Sequence, residues 1–515
     1  MLEIKATTES LRKIIRLSVK HSLTVDDEVY AAFDRIPRMT KIENFNYTLR
    51  TFQSEGVAWL EKQGGTGILA DEPGTGKTVQ VIAFAHKNHM FPMLVVCPNT
   101  LKLNWRNEII AMTGQLYRIN VVGKEYSKRQ TLRRAERHPN VIYSKVPTAG
   151  CDIYIVNYDI LAANVDEFEA LGLRYMAVDE SHKIKNPEAK RTKAMLRLAV
   201  GEWDEKQRGG QRKRIKVGDG IQAVTLMSGT PAVSRPVEMW TSVQTVAPWV
   251  PEFSKFTRFG FRYCGAQQNG HGWDFTGATN TGELNSLLTR HCMLRRLKAD
   301  VLQELPPKIY RTLPLEFDRR EYDRIAAAFK GINWQAGMQA IVRMGGNVPK
   351  SDEAIVAIQK LREMAGYAKL DSAVEWIQDY CETNSKLVVF AHNRKIIERV
   401  KNALEEAPEY ANAVGVIYGG ITDDARADAV SNFQNDPRVR VIIIGITAGG
   451  FGLTLTSASA VAFLQLPWTP GEISQCMDRV HRIGQEANQV TCYNLVAEGT
   501  IEEEMSEMLF AKGQI

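Results

Sequence analysis

The sequence predicts an α/β protein: two parallel-sheet lobes in tandem, with helical insertions between them. Between Gly67 and Met227 one phrase recurs, a short apolar strand, a polar or small-residue signature at its end, then helix-patterned sequence. The phrase resumes after Lys386 and runs to Val496. At 515 residues the chain also exceeds what one hydrophobic core ordinarily organises. Strands too apolar to alternate, separated by helices, belong to a parallel sheet covered on both faces.

In the first lobe the strands are expected at 67–70, 93–97, 153–156, 175–178 and 223–227. The signatures that follow them are the loop at Asp71, Pro98-Asn99-Thr100, Asn157-Tyr158, Asp179-Glu180 and Ser228-Gly229-Thr230. In a parallel sheet these share the edge where ligands gather. In the second lobe the strands are expected at 387–390, 415–418, 439–444, 461–464 and 490–496. Aromatic, charged and Gly-rich sequence fills 232–371, with helix-like runs near 321–330 and 353–364 and a stiff Pro306-Pro307 crossing suited to a hinge. The expected organisation is a leader at 1–45, a first lobe with a helical insertion at 46–308, a helical insertion and linker at 309–371, and a second lobe with a terminal brace helix at 372–515.

Composition excludes several classes. With 44% hydrophobic and 24% charged residues the chain reads as globular rather than disordered. Its net charge of +6 suits a polyanionic partner but is mild for this length. Seven scattered cysteines without a Cys-x-x-Cys pair argue against a disulfide framework or structural zinc and for a reducing compartment. The N-terminus lacks an apolar signal core, and no stretch approaches the roughly 18 apolar residues of a membrane span. The expected setting is cytoplasmic, of bacterial or viral type, or nuclear in a eukaryote.

The chemistry concentrates at the strand ends. Asp71-Glu72-Pro73-Gly74-Thr75-Gly76-Lys77-Thr78 joins the first strand to a helix over 79–85. Such a glycine turn aims backbone N–H groups and the helix's positive end at a polyphosphate, with Lys77 reaching the outer phosphates and Thr78 ligating magnesium. Strict Walker A spacing requires glycine where this chain has Asp71, so the pattern is met in its functional half. Asp179 and Glu180 end another strand of the same edge, where ATP hydrolysis needs one carboxylate for magnesium and another to deprotonate the attacking water. We assign Asp179 and Glu180 in that order.

In the second lobe Arg479 and Arg482 lie three apart, a helical spacing that presents one face. Taken alone the pair reads as a solvated basic face; delivered to a γ-phosphate, such arginines stabilise transferred charge. The turn Thr447-Ala448-Gly449-Gly450-Phe451-Gly452-Leu453 permits close backbone approach, with Gly450 a candidate nucleotide contact, though packing alone produces such turns. The basic run Gln211-Arg212-Lys213-Arg214-Ile215-Lys216 precedes a strand, opposite the functional edge, and reads as a solvated loop. His86 and His89 lack a third ligand nearby and read as a helix surface.

The order of these elements resembles a superfamily 2 helicase motor of the SNF2 branch, from about Tyr47 to Glu504. Leu49-Arg50-Thr51-Phe52-Gln53-Ser54-Glu55-Gly56 is similar to the family's adenine-reading element, which implies that Gln53 bonds adenine. The resemblance continues through Asp179-Glu180-Ser181-His182, Ser228-Gly229-Thr230-Pro231 and a Gln475-to-Gln485 segment ending His481-Arg482-Ile483-Gly484-Gln485. It implies RecA-like lobes and ATP with Mg2+. The catalytic set it implies is Lys77, Asp179, Glu180, Gln475, Arg479 and Arg482, the two arginines as fingers.

Ser228 to Pro236, Arg295-Arg296-Leu297-Lys298 leading to Leu305-Pro306-Pro307-Lys308, and Trp468-Thr469-Pro470-Gly471 are similar to the fork-remodelling annealing-helicase subgroup. Pro73 departs from the family's usual methionine, and the substrate-recognition, nuclease and zinc modules of larger relatives are not found in this sequence. The implied partner is double-stranded or branched DNA, with no membrane, and Asn99, Thr100, Lys185 and Thr447 as backbone-phosphate contacts. The implied activity is ATP-driven translocation without general unwinding, used to remodel branched DNA or displace bound protein. The alternatives are a motor subunit of a restriction, defence or viral replication complex, an RNA helicase, and a non-hydrolysing DNA clamp. The last two fit less well, given the motif-six ending and the intact Lys77, Glu180 and arginine pair.

Overall fold

A computed structural model describes residues 42–123, 138–201, 203–208, 211–216, 220–229, 235–270, 272–302, 305–329, 337, 353–383, 386–449 and 453–510. The chain forms two compact units, the first ending at Val301 and the second beginning at Leu302.

The first unit contains β1 (Gly67–Leu69), β2 (Met93–Cys97), β3 (Ile119–Val122), β4 (Val141–Ser144), β5 (Ile153–Asn157), β6 (Tyr175–Asp179), a hairpin of β7 (Trp203–Arg208) and β8 (Gln211–Lys216), β9 (Ala223–Met227), a hairpin of β10 (Gln267–Asn269) and β11 (Gly272–Asp274), and β12 (Met293–Leu294). Eight of these make one sheet in the order β12-β1-β9-β6-β2-β5-β3-β4, every neighbouring pair parallel. All residues of β2 and β9 are buried, as a strand covered on both faces requires. Leu94, Val96, Met176, Val178 and Leu226 supply much of one core layer, on which Val243, Phe253 and Phe259 pack from later helices.

Parallel pairing puts the C-terminal ends of β12, β1, β9, β6, β2 and β5 on one edge. That edge carries Arg295-Arg296, Asp71, Ser228, Asp179-Glu180, Asn99 and Asn157. β3, β4 and β12 extend the sheet beyond the five strands expected; with two to four residues each they carry little pattern of their own. The basic run at Gln211 is a β-ribbon paired with Trp203–Arg208 rather than an irregular loop, and it does precede β9. His86 is not on a surface: it is buried, with Nδ1 2.6 Å from Tyr117 Oη and Nε2 2.7 Å from the Glu43 carbonyl.

The second unit contains β13 (Lys308–Leu315), β14 (Leu387–Ala391), β15 (Val414–Ile417), β16 (Val441–Gly445), β17 (Ala460–Phe463) and β18 (Val490–Ala497), an all-parallel sheet in the order β13-β18-β17-β14-β16-β15. β13 lies where helix and linker were expected. It pairs along its full length with β18, and its Pro314 is tolerated because the strand is an edge. Pro306, read as a hinge, is fastened within this unit: His481 Nε2 donates to its carbonyl at 2.8 Å, and neighbouring Lys308 pairs with buried Asp478 at 3.1 Å. The terminal helix Ile501–Phe510 is pinned through Glu502, whose buried carboxylate takes Lys369 and the Ala497 N–H.

Among the described residues no helix is long and apolar enough to cross a membrane, and no cluster of three or more His, Cys, Asp or Glu has metal-site geometry.

Candidate nucleotide site

The loop after β1 passes through two left-handed glycines, Gly74 and Gly76, both at φ 85°, before helix Lys77–Lys87 begins. A side chain at Gly76 would be strained by that backbone and would put its Cβ 2.5 Å from Gln53 Nε2. Gln53 is fully buried. Its Nε2 donates to the Thr75 carbonyl at 3.1 Å, and its Oε1 accepts the Arg50 N–H at 3.1 Å, closing the start of helix Thr51–Lys62. The residue expected at adenine therefore also braces the loop. Thr75 Oγ1 donates to the Glu72 carbonyl, and Lys77 Nζ donates to the Asp71 and Glu72 carbonyls at 2.6 and 3.2 Å. Thr78 is half-buried on the first turn of the helix.

Asp71 and Glu72 face away from the loop's own amides, toward the segment after β12. The Asp71 carboxylate is 0% exposed and forms a bidentate pair with Arg296, Nε donating to Oδ1 at 3.0 Å and Nη2 to Oδ2. The Arg296 backbone N–H reaches Oδ1 at 3.1 Å and Gln80 Nε2 reaches Oδ2 at 3.3 Å. Arg296 also donates to Gln80 Oε1 at 2.8 Å and to the Phe52 carbonyl. This cluster fills the space beside Gly56, where a Cβ would collide with Gln80 Oε1. Glu72 accepts the Lys298 N–H at 2.6 Å. The aspartate that breaks the strict Walker spacing is thus the counter-ion that ties helix Thr51–Lys62, the loop after β1 and the segment after β12 together.

Two strands from β1, β6 ends in the acidic pair. Trp105 Nε1 donates to Asp179 Oδ2 at 2.9 Å, and the Glu180 N–H donates to Oδ1 at 2.9 Å. Burial, reinforced by the Glu180 charge, raises the Asp179 carboxyl to about 6; the Trp105 hydrogen bond and Lys77 pull the other way. Glu180 sits at φ 53°, ψ 50°, a left-handed conformation unusual for glutamate. Tyr158 Oη, bonded to the Asp179 and Glu180 carbonyls, holds that turn. His182 Nδ1 is 3.4 Å from both Glu180 Oε2 and Ser228 Oγ. Burial, then Lys183 and Lys185, lower His182 to about 4, so near neutral pH its contact with Glu180 is not an ion pair.

The Ser228-Gly229 turn closes the third side. Gly229 lies against Pro73, whose Cγ would be 2.5 Å from an added Cβ, and its carbonyl accepts Arg295 Nη1 at 3.3 Å. Thr230 to Ser234 and Gly450 lie outside the described residues. Of the expected DNA contacts, Asn99 opens a 3-10 turn after β2 and accepts Asn157 Nδ2 at 3.3 Å. Thr100 Oγ1 beside it is buried without a hydrogen-bond partner. Lys185 is exposed and paired with Glu238 at 2.8 Å, and Thr447 is exposed after β16 in the second unit.

In the second unit Gln475 is half-buried on helix Pro470–Met477, which Thr469 and Glu472 cap reciprocally. The helix ends at Met477, so Arg479 and Arg482 occupy the turns that follow instead of one helix face. Arg479 is 4% exposed; Arg482 is half-buried and donates to the Leu453 carbonyl at 3.2 Å and Thr454 Oγ1 at 2.9 Å. Sequence reasoning missed Trp105, Tyr158 and the role of Arg296. Tyr158 had a local signal as part of the Asn157-Tyr158 strand-end signature, and Arg296 one in the Arg295-Arg296 pair; Trp105 had none.

Residues 52–202 match the SNF2-related domain, and residues 369–484 match the helicase conserved C-terminal domain. The human "DNA annealing helicase and endonuclease ZRANB3" is 30% identical over 512 residues, covering 97% of this chain and 43% of that protein. The "SWI/SNF-related matrix-associated actin-dependent regulator of chromatin subfamily A-like protein 1" of Xenopus tropicalis is 30% identical over 468 residues, covering 90% of this chain and 44% of that protein. The chain therefore spans less than half the length of these curated relatives. The solved "Sulfolobus solfataricus SWI2/SNF2 ATPase core in complex with dsDNA" aligns over 92% of each chain at 23% identity, with a TM-score of 0.42. One match falls on each parallel-sheet unit, so the chain carries an SNF2-related domain followed by a helicase conserved C-terminal domain.

Proposed function

We propose that this chain is an ATP-dependent translocase on double-stranded DNA, coupling hydrolysis to remodelling of branched DNA or displacement of bound protein. One observation carries the reading: a glycine phosphate loop and a half-buried Asp-Glu pair stand two strands apart on the ligand edge of one parallel sheet. Backbone N–H groups at the start of helix Lys77–Lys87 hold the phosphates, and Lys77 exchanges its loop carbonyls for the outer phosphate oxygens. Glu180 takes a proton from water as its oxygen attacks the γ-phosphorus and the bond to the β-phosphate oxygen breaks. Arg482, the more exposed of the two arginines, with Arg479 and Gln475, stabilises the transferred charge.

Thr78 and Asp179 offer the hard oxygen donors that Mg2+ prefers, and a buried carboxyl held at about 6 beside a second carboxylate suits a cation. Bound there, the ion would neutralise charge on the β- and γ-oxygens.

On the nucleic acid side, Asn99, Thr100, Lys185 and Thr447 follow strand ends of the two sheets and suit sequence-independent grip on backbone phosphates. That two relatives are named DNA annealing helicases supports DNA, and branched DNA in particular, as the substrate of this chain. We take the two parallel-sheet units, divided between Val301 and Leu302, as the two motor lobes. Seven free, buried cysteines accord with a reducing compartment, cytoplasmic or nuclear. ATP turnover measured without nucleic acid and with single-stranded, duplex and forked DNA and RNA tests the reading. Stimulation by duplex and forked DNA, absent from Glu180→Gln, is expected; stimulation by RNA alone overturns it.

A further inference from the structure

The first unit carries an aromatic feature that the nucleotide site does not use. Helix Phe256–Tyr263 and the hairpin of β10 and β11 expose Phe261 at 48% and Trp273 at 52%. Their ring centroids are 4.7 Å apart at an interplanar angle of 79°. Large exposed aromatics in direct contact are the informative kind of exposed apolar surface. They are also held rigidly. Rings run inward from Phe261 to Phe275 at 5.4 Å, Phe275 to Phe256 at 5.0 Å and Phe256 to Trp240 at 5.4 Å, each edge to face. Phe261 is thus linked through half-buried rings to the core, and Trp273 joins that chain through Phe261.

Beside the pair is an open recess of ≈ 720 Å³ whose wall includes Lys255, Arg258, Phe261 and Arg262. Arg258, Phe261 and Arg262 are spaced i, i+3, i+4 and share one helix face. Of the nearby carboxylates, Glu283 is paired with Arg262 at 2.6 Å and bonded by Tyr263 Oη at 2.7 Å, while Asp274, bonded by the Thr276 N–H and hydroxyl, and Glu252 keep their charge. Lys255 and Arg258, whose Nη1 also donates to the Pro251 carbonyl at 3.2 Å, line the recess itself as its cations not paired with Glu283. Fixed aromatic rings next to a cationic trough match a nucleic-acid strand whose bases are unpaired. The trough follows the phosphates, while the ring faces need the open π-face of a base, which a duplex does not offer.

We propose that Phe261 and Trp273, with Lys255 and Arg258, form an accessory site for unpaired DNA nucleotides, such as the single-stranded arm of a fork. The site rests on the reading of the chain as a DNA motor, but it has its own observable. Full-length protein is titrated with labelled blunt duplex and with the same duplex bearing an unpaired dT arm, while ATP turnover on the blunt duplex is followed separately. Trp273→Ala and Phe261→Ala each weaken binding of the dT-armed duplex by roughly 5- to 150-fold, the range of one lost base stack. Trp273→Phe retains most of the binding, and Arg258→Ala lowers its salt dependence. Blunt-duplex affinity and turnover stay as in the parent chain.

Unchanged arm binding in Trp273→Ala overturns the proposal. So does equal weakening on armed and blunt duplex, or full retention by Trp273→Leu, which would mark an apolar protein-docking patch instead of a stacking site. If blunt duplex fails to stimulate the parent chain, the motor reading fails, and binding of the dT-armed duplex still decides the accessory site.

Discussion

Replacing Arg296 with methionine removes its charge while keeping most of its volume, and the structure sets the expected size of the effect. Asp71 is 0% exposed and the Arg296 side chain 13% exposed, so the pair is effectively out of water. Removing one partner of such a pair costs about 3–5 kcal/mol, because the remaining charge stays buried. Two donors to Asp71 survive, the residue 296 backbone N–H at 3.1 Å and Gln80 Nε2 at 3.3 Å, which places the loss near the lower end. Opposing that relief, the Phe52 carbonyl and Gln80 Oε1 each lose a donor. We expect Arg296→Met to lower amide-exchange protection of β1 and helix Lys77–Lys87 by about 3 kcal/mol. The same variant should raise the KM for ATP well before it alters kcat at saturation. Asp71→Asn combined with Arg296→Met should recover part of the protection. Strictly additive single and double variants, within about 0.5 kcal/mol, would refute the buried pair as the anchor of the loop.

Gly76→Ala should weaken ATP binding at least tenfold, since the left-handed turn and Gln53 Nε2 at 2.5 Å both resist a Cβ; equilibrium binding of a labelled nucleotide measures it. Glu180→Gln should lower turnover by roughly 10²–10⁴ while nucleotide binding stays within a few-fold, as single-turnover kinetics will show. Trp105→Phe keeps the packing but removes the donor to Asp179, and should raise the Mg2+ concentration needed for half-maximal turnover. His291 is held at about 4 by burial, then by Arg290, below its ordinary 6.5. The unfolded chain therefore binds the proton first as pH falls, so this contribution is whole above 6.5 and is lost progressively down to 4, by on the order of 3 kcal/mol. His291→Gln should flatten the fall in first-unit stability over that window, measured by amide exchange.

The sequence reveals what local pattern controls. β1, β2, β5, β6 and β9 were legible because doubly covered strands are continuous apolar runs bounded by turns, and their C-terminal signatures followed from parallel pairing. β12 has two residues and β13 alternates with a proline inside it, so neither announces itself; pairing with β1 and β18 makes them strands. The candidate site divides the same way. Asp179 and Glu180 stand at a strand end and Lys77 opens the helix after a glycine turn, places a local pattern marks, whereas the Asp71–Arg296 and Trp105–Asp179 links join residues 225 and 74 positions apart. His86 carried the ordinary spacing of a helix residue, and only Tyr117 and the Glu43 carbonyl show it to be buried. The arginines at 479 and 482 lie beyond the helix, which ends at Met477 just before Asp478, the residue paired with Lys308.

Displacement of a third strand from a triplex-bearing duplex tests the central claim most directly, because it reads movement along DNA separately from ATP turnover. The account predicts ATP-dependent release of the third strand by the parent chain, with the underlying duplex still paired and no release by Glu180→Gln. Robust duplex-stimulated turnover without third-strand release, or equal release by Glu180→Gln, would contradict it.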